Sequence, residues 1–436
     1  MRIVRGAAFG TALFVVTETG AAATEAEERT GSEEAATVAQ VSHDAAAKPA
    51  PVKRRERLAE VLVEADRPLS AASSLNIRAQ DYAMRPHATI QEVLNNVPGL
   101  VVTQHQGGGK ATQYLIRGFD SDHGTDIAVS VDGLPVNMVS HGHGQGYADL
   151  NFVIPETVER ISLFKGPYFV EFGDFATAGA LQFNLVDEFE ENFFHTEFGS
   201  FDTLRLVGGV SPRLGEVRTA IAAQAYLSNG PFIDPQDFSR FNAFARFSLD
   251  PTPDSTVRVW GSAMVSEWGA SGQVPLRQVL EGDLSPFGSL DNSEGGKTDR
   301  EDLVLEYEFR PSAEDTVRAM AYATHYALNL YSNFTFFQET GLRFARLPDG
   351  SVVDTGDDAV LPGADYIPGD GIRQTDDRMM YGVQLDYTRD WEALGVPMQT
   401  RIGLQNRNDN IGVTLSRQVR RAVFHDINDA RIYENS

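Results

Sequence analysis

From about residue 191 onward the sequence alternates apolar and polar side chains with a period of two, in stretches of about ten residues. In "DLVLEYEFR", Leu303, Leu305, Tyr307 and Phe309 alternate with Val304, Glu306, Glu308 and Arg310. In "RFNAFARFSLD", Phe241, Ala243, Ala245, Phe247 and Leu249 alternate with Asn242, Phe244, Arg246 and Ser248, and Val257 to Val265 and Met379 to Tyr387 repeat the pattern. Neighbouring residues of a strand point to opposite faces, so each stretch presents two faces of different polarity. About ten residues is also the length a tilted strand needs to cross a bilayer. Short connections (251–255, 311–315, 392–397) alternate with long ones (227–237, about 269–299, about 331–376), which puts the long loops at one end. A soluble sandwich has no reason for that arrangement, whereas an outer-membrane barrel has short periplasmic turns and long extracellular loops.

Composition supports the same class by exclusion. The 436 residues are 42% hydrophobic, yet no apolar run of about 18 residues follows the N-terminus, so a helical span is not expected. With 61 acidic against 37 basic side chains and a formal net charge of −24, the chain repels nucleic acid, and Lys53-Arg54-Arg55 is too short a basic run to reverse that. The absence of cysteine removes disulfides, thiolate metal sites and cysteine nucleophiles together. At the N-terminus, Arg2 and Arg5 precede the apolar stretch Ala7 to Val16 and the small-residue cluster Ala21-Ala22-Ala23, so residues 1–23 read as an export signal peptide. Residues 24–56, rich in Ala, Glu, Thr and Ser, read as a flexible segment.

Residues 72–190 differ in character and read as a compact α+β unit. In "HATIQEVLNNVPG", Thr89 caps a helix with Glu92 three residues on, Ile90, Val93, Leu94 and Val97 share one face, and Pro98-Gly99 ends it. Strands follow at Leu100 to Thr103, at Gln113 to Ile116, and through Ile127, Val129 and Val131 into an Asp132-Gly133 turn. After Pro155-Glu156-Thr157-Val158, a further strand from Arg160 to Phe164 stops at Gly166-Pro167.

The runs "TIQEVLNNVPGLVV", "YLIRGFD", "VSVDGLPVN" and "IPETVERISLFKGPYFVEFGDFATAGALQFN" closely resemble, in that order, the plug domain of TonB-dependent outer-membrane receptors. The resemblance covers about 85–185 and implies a membrane all-β fold: an antiparallel transmembrane β-barrel over 191–436, enclosing a small α+β plug at 72–190. About ten strands are legible, against the roughly 22 that a barrel enclosing such a plug needs, so the barrel is expected to be incomplete here. Residues 57–66 look like the TonB box, carried by Glu60, Val61, Leu62 and Val63, which adds as a strand to a TonB-type energy-coupling protein in the periplasm. The implied function is energised uptake of a scarce ligand through the cell outer membrane of a Gram-negative bacterium. The implied cargo is an iron-siderophore complex or a transition metal, with cobalamin or a glycan behind these. The implied partners are the coupling protein, outer-membrane lipid and a metal chelate or other small ligand, with no resident cofactor, no nucleic acid and no enzyme activity.

By position, the ligand-binding candidates are His105, Lys110, Asp120, Asp122, His123, Asp126, His141, His143 and Tyr147, with Asp149 nearby. Four of the nine histidines fall between 105 and 143. Imidazole nitrogens suit transition metals, so His141, His143 and His123 are the metal candidates; the competing reading is hydrogen bonding within a polar apical surface. Lys110 suits an anionic group of a ligand. Arg117 is expected to pair with a barrel-wall acid, and Tyr331 and Phe334 to belong to an aromatic girdle. The rival functions are a passive porin or surface adhesin and, further off, a metal-dependent hydrolase built on "SDHGTD" and "HGHG". No nucleophile elbow or His-Glu-x-x-His motif supports the hydrolase.

Overall fold

The computed structural model describes residues 6–19, 73–105, 108–334, 344–354, 362–366, 371–423 and 431–435. The flexible segment 24–56 and the TonB-box-like residues Glu60, Val61, Leu62 and Val63 lie outside them. Within the stretch read as an export signal, β1 (Gly6–Thr19) is a strand.

Two small sheets form the plug. One has the order β2-β8-β9-β6-β7, from β2 (Ser74–Arg78), β6 (Ile127–Val131), β7 (Leu134–Pro135), β8 (Val158–Lys165) and β9 (Gly179–Leu185). The other joins β3 (Leu100–Thr103), β4 (Gln113–Ile116) and β5 (Phe119–Asp120). Two short helices accompany them, α1 (Ala79–Tyr82) and α2 (Ile90–Leu94). The sequence explains α2: Thr89 Oγ1 accepts from Glu92 N at 3.3 Å, and Thr89 N donates back to the Glu92 carboxylate at 3.3 Å, which satisfies two otherwise orphaned donors. Ile90, Val93, Leu94 and Val97 are buried in the core shared with Val129, Val131, Ile161 and Phe183.

The wall is a large antiparallel sheet that does not close. It runs through β10 (Phe193–Gly199), β11 (Thr203–Val210), β12 (Arg218–Ser228), β13 (Phe238–Thr252), β14 (Ser255–Gly269), β15 (Gly295–Phe309) and β16 (Asp315–Asn333). A six-residue helix, α3 (Leu276–Glu281), lies between β14 and β15. Above the wall, β17 (Phe344–Arg346), β18 (Val352–Asp354) and β19 (Asp365–Tyr366) form a small sheet of their own. The wall continues with β20 (Gly371–Ala393) and β21 (Val396–Val419); β22 (Ala422–Val423) and β23 (Arg431–Asn435) pair with β21. β1 also pairs along β21, from Gly6↔Ile411 to Thr19↔Met398. An unpaired strand edge is a template for any extended segment that reaches it.

The faces divide as the alternation implies. Leu303 and Leu305 are 59% and 50% exposed on the outer face, while Val304 and Glu306 between and beyond them are 0% and 6% exposed on the inner one. Arg246 is buried on the inner face as well.

Three expectations change. The strands bordering the long loops reach further than the sequence pattern indicates: β15 starts at Gly295, and β20 starts at Gly371 and runs for 23 residues. At about 3.3 Å per residue that is about 76 Å, far more than the hydrocarbon thickness, so only part of each strand carries the apolar alternation. The remainder, Arg373–Arg378 in β20, is polar on both faces and is held by backbone pairing to β16 and β21. Secondly, Arg117 takes positive φ (51°) together with Gly118 (85°), making the tight turn between β4 and β5 in the manner of a twisted hairpin. Its side chain is exposed and makes no ion pair with the wall among the described residues. Thirdly, the plug–wall ion pair has the opposite polarity to that expected: plug Asp132 meets wall Arg246 at 2.7 Å.

Asp132 and Gly133 form the positive-φ turn between β6 and β7. The Asp132 carboxylate also accepts from Leu185 N at 3.1 Å. Replacing Arg246 by alanine leaves that buried acid uncompensated, a change that costs roughly 3–5 kcal/mol. We expect Arg246→Ala to lower the melting temperature of the folded chain and to speed proteolysis of the plug, and Asp132→Asn in the same background to restore part of the loss.

Candidate functional site

The loop Ser140–Asp149 lies against the long-loop end of β20, and the glycines explain how it gets there. A Cβ on Gly142 would stand 2.8 Å from the Thr375 carbonyl oxygen, so only a residue without one lets this backbone reach the wall. Three successive inward positions of β20 then hold the loop. Asp376 Oδ2 accepts from Gly142 N at 3.2 Å, Gln374 Nε2 donates to Gly142 O at 3.0 Å, and Arg378 donates to Ser140 O. Arg378 and Asp376 are themselves paired through two contacts of 2.6 Å. A second plug loop packs from the other side: Gly109 lies flat on Trp268, where a Cβ would meet the indole at 1.9 Å. This places Lys110 beside the histidines.

The three metal candidates separate into two roles. His141 Nδ1 accepts from His143 N at 3.1 Å, which leaves its proton on Nε2, directed at Asp376 Oδ2 3.8 Å away. Its ring stacks on Tyr147, with centroids 4.0 Å apart and planes 8° from parallel. Tyr147 in turn accepts from Ala111 N through its hydroxyl at 2.8 Å. His141 Nδ1 is thus engaged within its own loop, its Nε2 faces Asp376 without a hydrogen bond, and the Tyr147 hydroxyl beneath its ring ties this loop to Ala111.

His143 is oriented the other way. Because the Gln374 amide nitrogen donates to Gly142 O, its oxygen is the atom that faces His143 Nδ1 at 3.0 Å, so His143 carries its proton on Nδ1. Its Nε2 presents a lone pair, met by His123 Nε2 at 3.1 Å and by Lys110 Nζ at 3.5 Å. His105 is exposed and sets its ring edge-on to His123 at 5.7 Å.

Burial governs the charges here. It pushes His141 and His143 well below the ordinary histidine range, the positive Arg378 adding to the effect at His141 and Lys110 at His143. Burial also lowers His123, against the partial opposition of Asp122 3.6 Å away. Lys110, almost fully enclosed, is lowered to about 8 by burial, opposed by Glu294 and Asp122. Glu294 is raised to about 9, by burial first and by neighbouring Asp291 second. At neutral pH the three imidazoles are neutral and Lys110 is the local positive charge.

The remaining candidates lie at the margin. Asp122 is half exposed beside His123. Asp120 accepts from Gln113 Nε2 at 2.7 Å and Asp122 N at 3.2 Å, and Asp126 accepts from Thr125 at 3.1 Å. Asp149 is fully buried and turns back to Asn151 N at 2.9 Å, away from the histidines. Among the described residues, no three His, Asp or Glu side chains gather closely enough to hold an ion by themselves. Sequence reasoning missed Gln374, Asp376, Arg378 and Glu294, the wall residues that complete the cluster. The spacing of 374, 376 and 378 at one strand parity was the available signal, masked because 331–376 reads as a loop. Tyr331 points outward, its ring between Arg373 at 5.8 Å and Arg421 at 5.2 Å.

Two outcomes follow. Gly142→Ala should unseat the loop from β20 and raise amide exchange at 140–147 by about tenfold or more, measured by hydrogen–deuterium exchange. For Glu294, a carboxyl raised in the folded chain favours folding at low pH, and that contribution is lost as pH rises from 4.5, its ordinary value, through about 9. Glu294→Gln, neutral at every pH, should therefore flatten the fall of the melting temperature between about pH 5 and pH 9.

Residues 67–180 match the family model of the TonB-dependent receptor plug domain. Over 110 residues, 25% of this chain and 17% of the relative, the sequence is 31% identical to the vitamin B12 transporter BtuB of Vibrio vulnificus. The fold is similar to that of the unliganded ferric citrate transporter FecA, with a TM-score of 0.63 at 14% identity, covering 80% of this chain and 49% of that one. It is also similar to the copper transporter OprC, with a TM-score of 0.57 at 16% identity and coverages of 83% and 48%. The ferric yersiniabactin uptake receptor FyuA of Yersinia pestis gives 0.58 at 12% identity, with 81% and 50% covered. The chain thus spans about half the length of these solved receptors and a smaller share of the B12 transporter. Among the described residues no helix is long and apolar enough to cross a membrane, and the strands carry the outward apolar face. With its plug matched over residues 67–180 and lodged against an open antiparallel wall, the chain carries a TonB-dependent receptor plug domain and has the fold of the outer-membrane receptors.

Proposed function

We propose that this protein takes part in energised uptake of a scarce ligand, captured at the apical plug loops and admitted when the plug is pulled from within the periplasm. One observation carries the reading: loops 108–112, 121–126 and 137–149 converge with β20 on the side of the wall where the long loops lie, with His105 and Asp122 exposed beside Lys110, His123 and His143. An iron-siderophore complex or a transition metal is the proposed cargo, in keeping with the ferric citrate, ferric yersiniabactin and copper named for similar structures. The proposed partner is a TonB-type coupling protein that adds a strand to residues 58–66.

The plug offers a place for that force to act. Tension on the segment before residue 73 reaches β2 first, an edge strand held to β8 by five residue pairs, Ser74↔Phe164 to Arg78↔Arg160. Peeling an edge strand breaks its pairs one after another and leaves the core around Val129, Ile161 and Phe183 in place.

Deleting residues 58–66 in the intact receptor should abolish ligand accumulation in cells while leaving ligand affinity of the purified receptor within about twofold. Accumulation that survives the deletion would contradict energised uptake and favour a passive pore; affinity for no tested ligand in either form would favour an adhesin.

A further inference from the structure

We propose that Tyr331, Arg373 and Arg421 bind the phosphorylated saccharide of a glycolipid in the outer leaflet, an interaction of the outer face of the wall that is independent of the cargo. Charge and height carry the assignment. Tyr331 and Arg373 are paired across β16 and β20 and project outward, with the Arg373 guanidinium 5.8 Å from the ring centroid, and exposed Arg421 covers the same ring at 5.2 Å. On the inner face, guanidiniums are matched by carboxylates, as Arg246 is by Asp132, Arg318 by Glu306 and Arg378 by Asp376. The outward pair is not. Arg373 Nε donates to Asn329 Oδ1 at 2.8 Å, and Arg421 donates to the carbonyl oxygens of Ser293 and Glu294 at 2.7 and 3.2 Å. These acceptors are neutral, and no carboxylate pairs with either arginine among the described residues. In a chain of net charge −24, two uncompensated guanidiniums on one aromatic ring form a local site for an anion. Their forks match the oxygens of a phosphate, and the tyrosine ring supplies an apolar face with a polar tip against which a sugar packs.

Height selects the kind of lipid. The outward apolar residues of β20 end at Met379, which is 45% exposed. From Met379 to Arg373 the strand rises about 20 Å at about 3.3 Å per residue, or about 15 Å along the membrane normal at a tilt of about 40°. The polar layer of phospholipid headgroups is only about 5–8 Å deep. Arg373 therefore stands above that layer, at a level that the sugars of a glycolipid reach and a phospholipid phosphate does not. The tier in between is acidic: Glu301 and Asp377 flank His325 at 2.8 and 3.4 Å. A phosphate at headgroup level thus meets two carboxylates, whereas one carried higher on a saccharide meets the two guanidiniums.

The test uses the full chain purified in detergent, with lipopolysaccharide bearing a phosphorylated inner core, lipopolysaccharide truncated before that core, phosphatidylglycerol and inorganic phosphate as probes. Wild-type protein should bind the first about tenfold or more tightly than the second and third, read by titration and by native mass spectrometry of retained lipid. Arg373→Gln combined with Arg421→Gln should remove that preference, and Tyr331→Ala should lower it by about threefold or more. Arg373→Lys combined with Arg421→Lys keeps the charge and should stay within about fivefold of wild type, while Arg389→Gln, at the short-turn end of β20, should change nothing. Equal affinity for all three lipids, a preference indifferent to both arginines, or a lysine pair as weak as the glutamine pair would overturn the proposal. Inorganic phosphate bound as tightly as the lipid through the same arginines would overturn it in favour of a soluble phosphate.

Discussion

Gln374, Asp376 and Arg378, alternate residues of one wall strand, hold the plug loop Ser140–His143 by its backbone, and the candidate site depends on that grip. The contacts fix Gly142, and through Gly142 and Gln374 they fix which nitrogen of His143 bears the proton. Were the loop free, both tautomers of both histidines would be available and the cluster would have no defined donor set. The same three wall residues thus convert a glycine-rich turn into a positioned pair of imidazoles.

The grip is one instance of how the plug sits in the wall. Inward guanidiniums meet plug acids and carbonyl oxygens along the interface: Arg205 with Glu156 at 2.7 Å, Arg246 with Asp132 at 2.7 Å, Arg407 with Asn137 O at 2.8 Å and Arg240 with the Asn151 side chain at 2.9 Å. Arg300 lies over the Phe152 ring at 4.0 Å. Directional polar contacts of this kind fix position strongly, yet each yields little net free energy over the hydrogen bonds to water that it replaces. The plug's apolar centre, from Ile90 to Phe183, is continuous with inward wall residues such as Phe244, Trp260, Met264 and Met320, so polar and apolar contacts seat it together.

Much of this was legible in the sequence, and the reasons differ by element. The Thr89–Glu92 cap, the apolar face of α2 and the Asp132-Gly133 turn are local, so a few adjacent residues specify them. The outward Leu303 and Leu305 against inward Glu306 follow from strand parity alone. The extent of β15 and β20 was not legible, because backbone pairing carries those ends and leaves no apolar alternation. The polarity of the plug–wall pairs was also hidden: Arg117 looks like the anchor from its neighbours, but a positive-φ turn points it to solvent while Arg246, 114 residues from Asp132, takes that place. Among the histidines, the sequence identified the residues and the loop. Their division of labour depends on Gln374 and Asp376, more than 230 positions away.

Nitrogen-15 spectroscopy of the imidazole rings in histidine-labelled protein tests that division most directly. His143 should show a protonated Nδ1 and a bare Nε2, and His141 the reverse, with both rings neutral at pH 7. The same tautomer in both rings, or rapid exchange between tautomers at His143, would contradict a wall strand that fixes the two histidines in opposite tautomers.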